Sequence, residues 1–363
     1  MSSEITKHNI KIYAPAGNLE SIRAAVDAGA DAVYAGFQSA SNLRNFAGIN
    51  LSLEDMRKGV EYTHEKGRKT FITVNSYPQT NELPACFKAI DDAHEIGADA
   101  VIVSDLAVLD YTRKNYPDLT IHLSVQAGAS NIESIRFFVD NFNIETVVLP
   151  RVVTVDEIRQ ISDKTDIEIE VFGFGSLCVN YEGKCFLSPY ITGESTNTIG
   201  TCSTPKYLKF KLDDNKLSFQ MNGITLNEFE KDELALMPEI VGGKYEKEKS
   251  ESQWADNFLI NRRQICKGRY INDATGEKSY ALQPVVYLNT IDILDKLIDA
   301  GVGSIKIEGR QRNAEYVTTS VKAFRAVLDC YNTTEKLDPR EIKEKLAALF
   351  EGIEPSYTCY LHK

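Results

Sequence analysis

The sequence predicts an α/β fold, a (β/α)8 TIM-like barrel interrupted by a cysteine-rich insert between its seventh and eighth strands. Three observations predict it. Short apolar segments alternate with helical ones along the chain, the pattern of βα units around a parallel sheet. A boundary phrase recurs as Ala28-Gly29-Ala30-Asp31-Ala32-Val33, Ile96-Gly97-Ala98-Asp99-Ala100-Val101 and Ala300-Gly301-Val302-Gly303-Ser304-Ile305, each a glycine-terminated helix entering a strand. The glycine-rich phosphate turn of an open, doubly wound sheet is absent after the first strand, which favours closure into a barrel.

The first unit runs from Lys11 to Ala14 and ends at Pro15-Ala16-Gly17, after which Asn18 caps a helix reaching about Ala28. Asp31 to Gly36 follows, then a helix near 52–66 and a strand from Lys69 to Asn75 in the β-rich company of Phe71, Ile72 and Val74. Helices near 82–96, 106–115 and 131–142 lead to strands at Ala98 to Val103, Thr120 to Val125 and Thr146 to Leu149. The seventh strand reads Ile167 to Phe172, and the eighth reads Ser304 to Ile307 after a helical stretch from Thr290 to Ala300. The expected organisation is therefore 10–173 for barrel strands one to seven, 174–285 for the insert, 286–332 for the final barrel helix, strand eight and a further helix, and 333–363 for a C-terminal extension.

At 363 residues, with 43% hydrophobic and 26% charged side chains, the composition is that of a soluble enzyme, and no apolar run approaches the roughly 20 residues needed to span a bilayer. Met1 to His8 is polar and lacks a secretory core, so a cytoplasmic location is expected. The net charge of −11 disfavours attraction to polyanions and makes nucleic acid an unlikely partner, although a local basic pocket can still take an acidic metabolite or an RNA. Within the insert, residues 226–256 carry nine acidic and four basic side chains and read as an acidic, solvated excursion.

Seven cysteines in a reducing compartment call for ligation, catalysis or burial rather than a disulfide framework. Four of them, Cys178, Cys185, Cys202 and Cys266, fall in the insert, separated by six, 16 and 63 residues. Four thiolates suit tetrahedral zinc or an iron-sulfur cluster. Structural zinc sites favour close C-x-x-C pairs, of which the chain has none, so the spacing favours the cluster, with zinc second and buried unligated cysteines as the plain alternative. Cys86, Cys330 and Cys359 fit burial better.

Barrel chemistry gathers at the C-terminal ends of the strands. There the sequence places Asn75, Asp105, Gln126, Arg151, Glu308 and Arg310, joined by Asn42 and Arg44 from the loop after the second strand. Each is equally readable as a cap or a satisfied loop group.

The cysteine phrases carry a resemblance. Phe172-Gly173-Phe174-Gly175-Ser176-Leu177-Cys178, Glu182-Gly183-Lys184-Cys185, Asn197-Thr198-Ile199-Gly200 and Cys266-Lys267-Gly268-Arg269-Tyr270, with Val148-Leu149-Pro150-Arg151-Val152 and Lys306-Ile307-Glu308-Gly309-Arg310, resemble the UbiU group of the collagenase-like peptidase (U thirty-two) family. The resemblance implies a 4Fe-4S cluster on Cys178, Cys185, Cys202 and Cys266, a heterodimer with a UbiV-like subunit, and oxygen-independent hydroxylation of the ubiquinone precursor ring with prephenate as oxygen donor. Prephenate carries two carboxylates, so Arg44, Arg151 and Arg310 are candidate donor-anchoring groups, with Asn75, Gln126 and Glu308 beside them. Two other readings stay open: a prephenate-dependent RNA base hydroxylase, as in relatives of the same broad family, and a non-catalytic electron-transfer or scaffold subunit. A peptidase is not expected, because no nucleophile can be paired with a base and the five histidines form no H-E-x-x-H arrangement.

Overall fold

The computed structural model describes residues 10–39, 41–43, 49–178, 180–193, 195–198, 208–213, 216–221, 224–230, 266, 269–271, 278–280, 286–331, 339–349, 355–356 and 358–361. Cys202, Arg44 and most of the acidic excursion (231–256) lie outside them.

Eight parallel strands close on themselves. They are β1 (Lys11–Pro15), β2 (Ala32–Ala35), β3 (Lys69–Val74), β4 (Ala100–Val103), β5 (Thr120–Leu123), β6 (Thr146–Val148), β7 (Glu168–Ser176) and a last strand, Ser304–Ile307, which pairs with both β1 and β7. Between the strands run α1 (Leu19–Asp27), α2 (Leu53–Glu65), α3 (Leu83–Glu95), α4 (Leu106–Asn115), α5 (Ile132–Phe142) and α6 (Val155–Ser162). The barrel read from the sequence is thus the barrel observed, with β7 longer than expected: it continues to Ser176 and carries the chain toward Cys178.

Between β7 and the last barrel strand come a short helix, α7 (Leu187–Thr192), an antiparallel sheet of β8 (Leu208–Asp213), β9 (Lys216–Met221) and β10 (Ile224–Glu230), and a pair, β11 (Arg269–Ile271) and β12 (Lys278–Tyr280). The start of the acidic excursion is therefore paired strand β10. Next, β13 (Tyr287–Asn289) runs antiparallel along the end of β7, α8 (Leu294–Asp299) follows, and the last barrel strand is β14. The chain ends with α9 (Ala314–Tyr331), α10 (Pro339–Ala348), β15 (Pro355–Ser356), which pairs with β13, and α11 (Thr358–Leu361).

The local chemistry behind these elements is plain. Asn18, Ser52, Asp105, Asn131 and Thr154 each accept a backbone N–H at a helix start, satisfying donors the helix cannot. Asp105, a candidate for the mouth, is thus a cap. The recurring boundary phrase has two jobs. Its glycines, Gly29, Gly97 and Gly301, take φ values of +101°, +77° and +89° to end the helix. Its aspartates then bind the preceding strand: Asp31 Oδ2 accepts from Ile12 N at 2.8 Å and Asp99 Oδ2 from Thr70 N at 2.7 Å.

The strands present two different faces. Outward, Ile12, Val33, Ile72, Val101, Ile121, Val147, Ile169 and Ile305 pack with helix residues such as Ile22, Met56, Ile90 and Leu109 in one large apolar core. Inward, only Tyr13, Ala32, Tyr34, Phe71, Ala100 and Ile102 form a small apolar cluster. The remaining inward positions include buried His122, Glu170, Ser304 and Lys306. Among the described residues, no helix is long and apolar enough to cross a membrane.

Candidate active site

A cavity of about 190 Å³ opens at the C-terminal ends of the barrel strands. Its wall takes Asn75 from beyond β3, Ser124 and Gln126 from beyond β5, Arg151 from beyond β6, Leu177 and Cys178 from beyond β7, and Glu308 and Arg310 from beyond β14. Cys185 and Cys266 line it too. Three of the four expected cluster ligands and five of the six expected substrate-binding residues therefore share one cavity, and Cys202 and Arg44 fall outside the described residues.

Each polar residue has a defined place. Asn75 accepts from Leu43 N at 3.2 Å and donates to Ser124 Oγ at 3.3 Å. Gln126 sits in a single turn of 3-10 helix, Val125–Ala127, and its carbonyl accepts from Tyr77 Oη at 2.6 Å. Arg310 is buried, donating to Thr73 Oγ1 at 2.8 Å and to Asn42 Oδ1 at 3.1 Å. Asn42 itself donates to the Phe37 carbonyl at 2.8 Å, so it belongs to the support of Arg310.

Arg151 is held on three sides. Nη1 donates to Glu182 Oε1 at 2.7 Å, Nη2 to Glu308 Oε2 at 2.6 Å, and the guanidinium lies 3.7 Å over the ring of Phe172. Burial works against its charge, but Glu308 and Glu182 outweigh burial and hold the guanidinium well above its usual range. Among the described residues, Arg151 Nε and Glu182 Oε2 are buried without a hydrogen-bond partner. Glu182 is placed by a turn that requires its neighbour: Gly183 has φ +76°, and a Cβ there would lie 1.9 Å from the Gln126 carbonyl oxygen.

Below the cavity floor the barrel interior is ionic. Lys306 Nζ donates to Glu170 Oε1 at 2.6 Å and lies 4.1 Å over the ring of Tyr34, both residues lining or underlying the cavity. Glu170 is fully buried, and His122 Nδ1 stands 3.7 Å from its second oxygen, too far for a hydrogen bond, so that neither atom has a hydrogen-bond partner among the described residues. Burial opposes the charge on Glu170, yet Lys306 and His122 prevail and hold its carboxyl below the ordinary range. Deeper still, Tyr13 Oη donates to Glu168 Oε1 at 2.6 Å, and Lys11 pairs with the same carboxylate. A layered apolar filling is the rule for such barrels, so this column of ions is a departure.

Glu182, Lys306, Glu170, Tyr34 and Phe172 were not among the candidates. The signal for the interior set was the alternation Ile167-Glu168-Ile169-Glu170-Val171-Phe172, where polar residues occupy every second position of an otherwise buried strand.

The thiols fit an iron-sulfur centre in chemistry and in part in position. Cys178, Cys185 and Cys266 line the same cavity, and Asn180 Nδ2 approaches Cys185 Sγ at 3.4 Å, the kind of contact that tunes cluster sulfur. Among the described residues, no three His, Cys, Asp or Glu side chains converge closely enough to hold a metal ion. Among its described lining residues the cavity has no histidine.

Comparison with known proteins places this architecture. The chain is 30% identical over 361 residues to "tRNA hydroxylation protein P1" of Bacillus subtilis, covering 96% of this chain and 72% of that protein. It is 30% identical over 320 residues to "tRNA hydroxylation protein P" of Escherichia coli, covering 88% of this chain and 68% of that protein. A 23S rRNA 5-hydroxycytidine synthase of Escherichia coli is 30% identical over 328 residues, covering 90% of this chain and 40% of that protein. These relatives carry names of RNA hydroxylation, so the expectation that nucleic acid is an unlikely partner finds no support in them. The profile of peptidase family U32 matches residues 17–363, and the chain belongs to that family.

Proposed function

We propose that this chain is an oxygen-independent hydroxylase component that acts on a base of tRNA or rRNA, with prephenate as the oxygen donor. The observation that carries the reading is the cavity itself: three cysteine thiols and a buried set of cations face one space at the strand ends, in a chain 30% identical to proteins named for tRNA hydroxylation. Cys178, Cys185, Cys202 and Cys266 would hold a 4Fe-4S cluster, which supplies electron transfer when bound. The chain's own polar groups then have the tasks of binding an acidic donor and keeping water from it: among its described residues, the lining sets Arg151, Lys306, Arg310 and Arg312 against only Glu182 and Glu308, a locally basic pocket in a chain of net charge −11.

The same chemistry would serve hydroxylation of a ubiquinone precursor with a UbiV-like partner, and the named relatives favour RNA over the quinone ring. One experiment separates them. In the host lacking this gene and grown without oxygen, mass spectrometry of RNA nucleosides and of quinones is expected to show a base lacking one oxygen atom and an unchanged quinone; the reverse pattern overturns the RNA reading. Anaerobic purification with iron, sulfide and zinc analysis tests the cluster, and zinc without sulfide overturns it; Cys202→Ala is expected to lower the iron content.

A further inference from the structure

Three buried cations reach the cavity, and they are not equivalent. The guanidinium of Arg151 gives its two terminal nitrogens to two carboxylates and its face to an aromatic ring, with Nε alone unpaired among the described residues. That of Arg310 is taken up by Thr73 and Asn42. Lys306 differs. It is the one buried lysine among the described residues, and its ammonium has three N–H donors, of which a single one is used, on Glu170. The ring of Tyr34 lies beside it as a face without acceptor atoms, and the Tyr34 hydroxyl is turned away to donate to the Ile307 carbonyl at 2.7 Å. Between the Glu170 carboxylate and the Tyr34 ring face, the ammonium stands at the wall of the cavity with only one N–H given to an oxygen among the described residues.

We propose that Lys306 is the anion-binding group of the cavity, donating to a carboxylate of a small acidic ligand, while Arg151 and Arg310 shape the wall and do not grip that ligand. The inference deepens the reading above, since it assigns the residue that meets the acidic donor. The chemistry is specific about class. The excess of cations over carboxylates in the described lining selects an anion, and a volume of about 190 Å³, below the roughly 300–1,000 Å³ of pockets for drug-sized ligands, selects a small one. The Glu170 carboxylate, which is not part of the lining, holds the ammonium in place at the cavity wall without a ligand.

The test is binding in the absence of RNA, using the full chain purified without oxygen. Prephenate and succinate are titrated calorimetrically into wild type and into Lys306→Met/Glu170→Leu, which removes both members of the ion pair together so that no charge is left stranded. The double variant is expected to bind both probes at least about tenfold more weakly, the loss of one charge-assisted hydrogen bond, with unchanged circular dichroism. Equal affinity in the two proteins, or no binding of either probe by wild type, overturns the proposal. Should the double variant fail to fold, a crystal structure of wild type with prephenate decides: a carboxylate oxygen within about 3.2 Å of Lys306 Nζ supports it, and carboxylates seated on Arg151 or Arg310 alone overturn it. The outcomes separate this claim from the function. Lys306-dependent binding with no hydroxylated base in RNA leaves the inference standing and removes the RNA reading. Hydroxylated RNA with an unchanged KM for prephenate in the double variant does the opposite.

Discussion

The two faces of the barrel strands make opposite uses of the same backbone. On β7, Ile169 and Val171 point out to the helices while Glu168, Glu170 and Phe172 point in; on β14, Ile305 and Ile307 point out while Lys306 points in. The outer layer is a continuous apolar core, stabilised by area removed from water, with no direction built into it. The inner face sets beside its small apolar cluster a column of ions, each fixed by a partner at a defined distance and worth little net stability, because desolvation cancels most of the attraction. The stabilising layer and the layer that carries directional chemistry are thus one side chain apart, and mutations on the two faces should fail in different ways.

The largest effect tests the inner face. Lys306→Met alone strands the fully buried Glu170 carboxylate and is expected to cost about 3–5 kcal/mol in urea unfolding, whereas Lys306→Met/Glu170→Leu is expected to return within about 1 kcal/mol of wild type. If the single and double variants are equally unstable, the pair is held by something other than mutual compensation. The outer face should show no such recovery. Leu109→Ala on α4, fully buried in the apolar layer, is expected to cost about 2–5 kcal/mol and to leave carboxylate binding at its wild-type affinity. A change in that affinity would mean the two faces are coupled.

What was legible in the sequence follows the same division. The helices and strands were legible because their determinants are local: Asn18, Asn131 and the Gly29 and Gly97 phrases act within a few residues of themselves. The polar mouth was legible as a set, because the barrel rule puts strand-end residues on one rim. The roles within it were not. Arg151 reads as an anchoring cation from its position, yet its partners Glu182 and Glu308 lie 31 and 157 residues away, and only closure of the barrel and the turn at Gly183 bring them together. Likewise Glu170 and Lys306 are 136 residues apart and become neighbours because β7 and β14 complete the ring. Net charge did not reveal the basic lining for a related reason. It is summed over the whole surface, while the described cavity lining carries more cations than carboxylates.

The smallest effect sharpens the comparison through pH. Glu170 has its carboxyl held below the ordinary range in the folded protein, despite burial, by Lys306 and His122. A carboxyl lowered on folding contributes stability that is fully present above its unfolded value, about 4.3 for glutamate, and is lost as pH falls through the folded value. Wild type should therefore lose stability on acidification more steeply than Lys306→Met/Glu170→Leu, so that the two urea midpoints, close near neutrality, separate below about pH 4 with wild type the lower. The Leu109→Ala variant keeps this ion pair, so its midpoint should run parallel to wild type across the same range. Parallel curves for wild type and the double variant would show that Glu170 titrates alike in the folded and unfolded chain, and that the interior ions contribute no acid-sensitive stability.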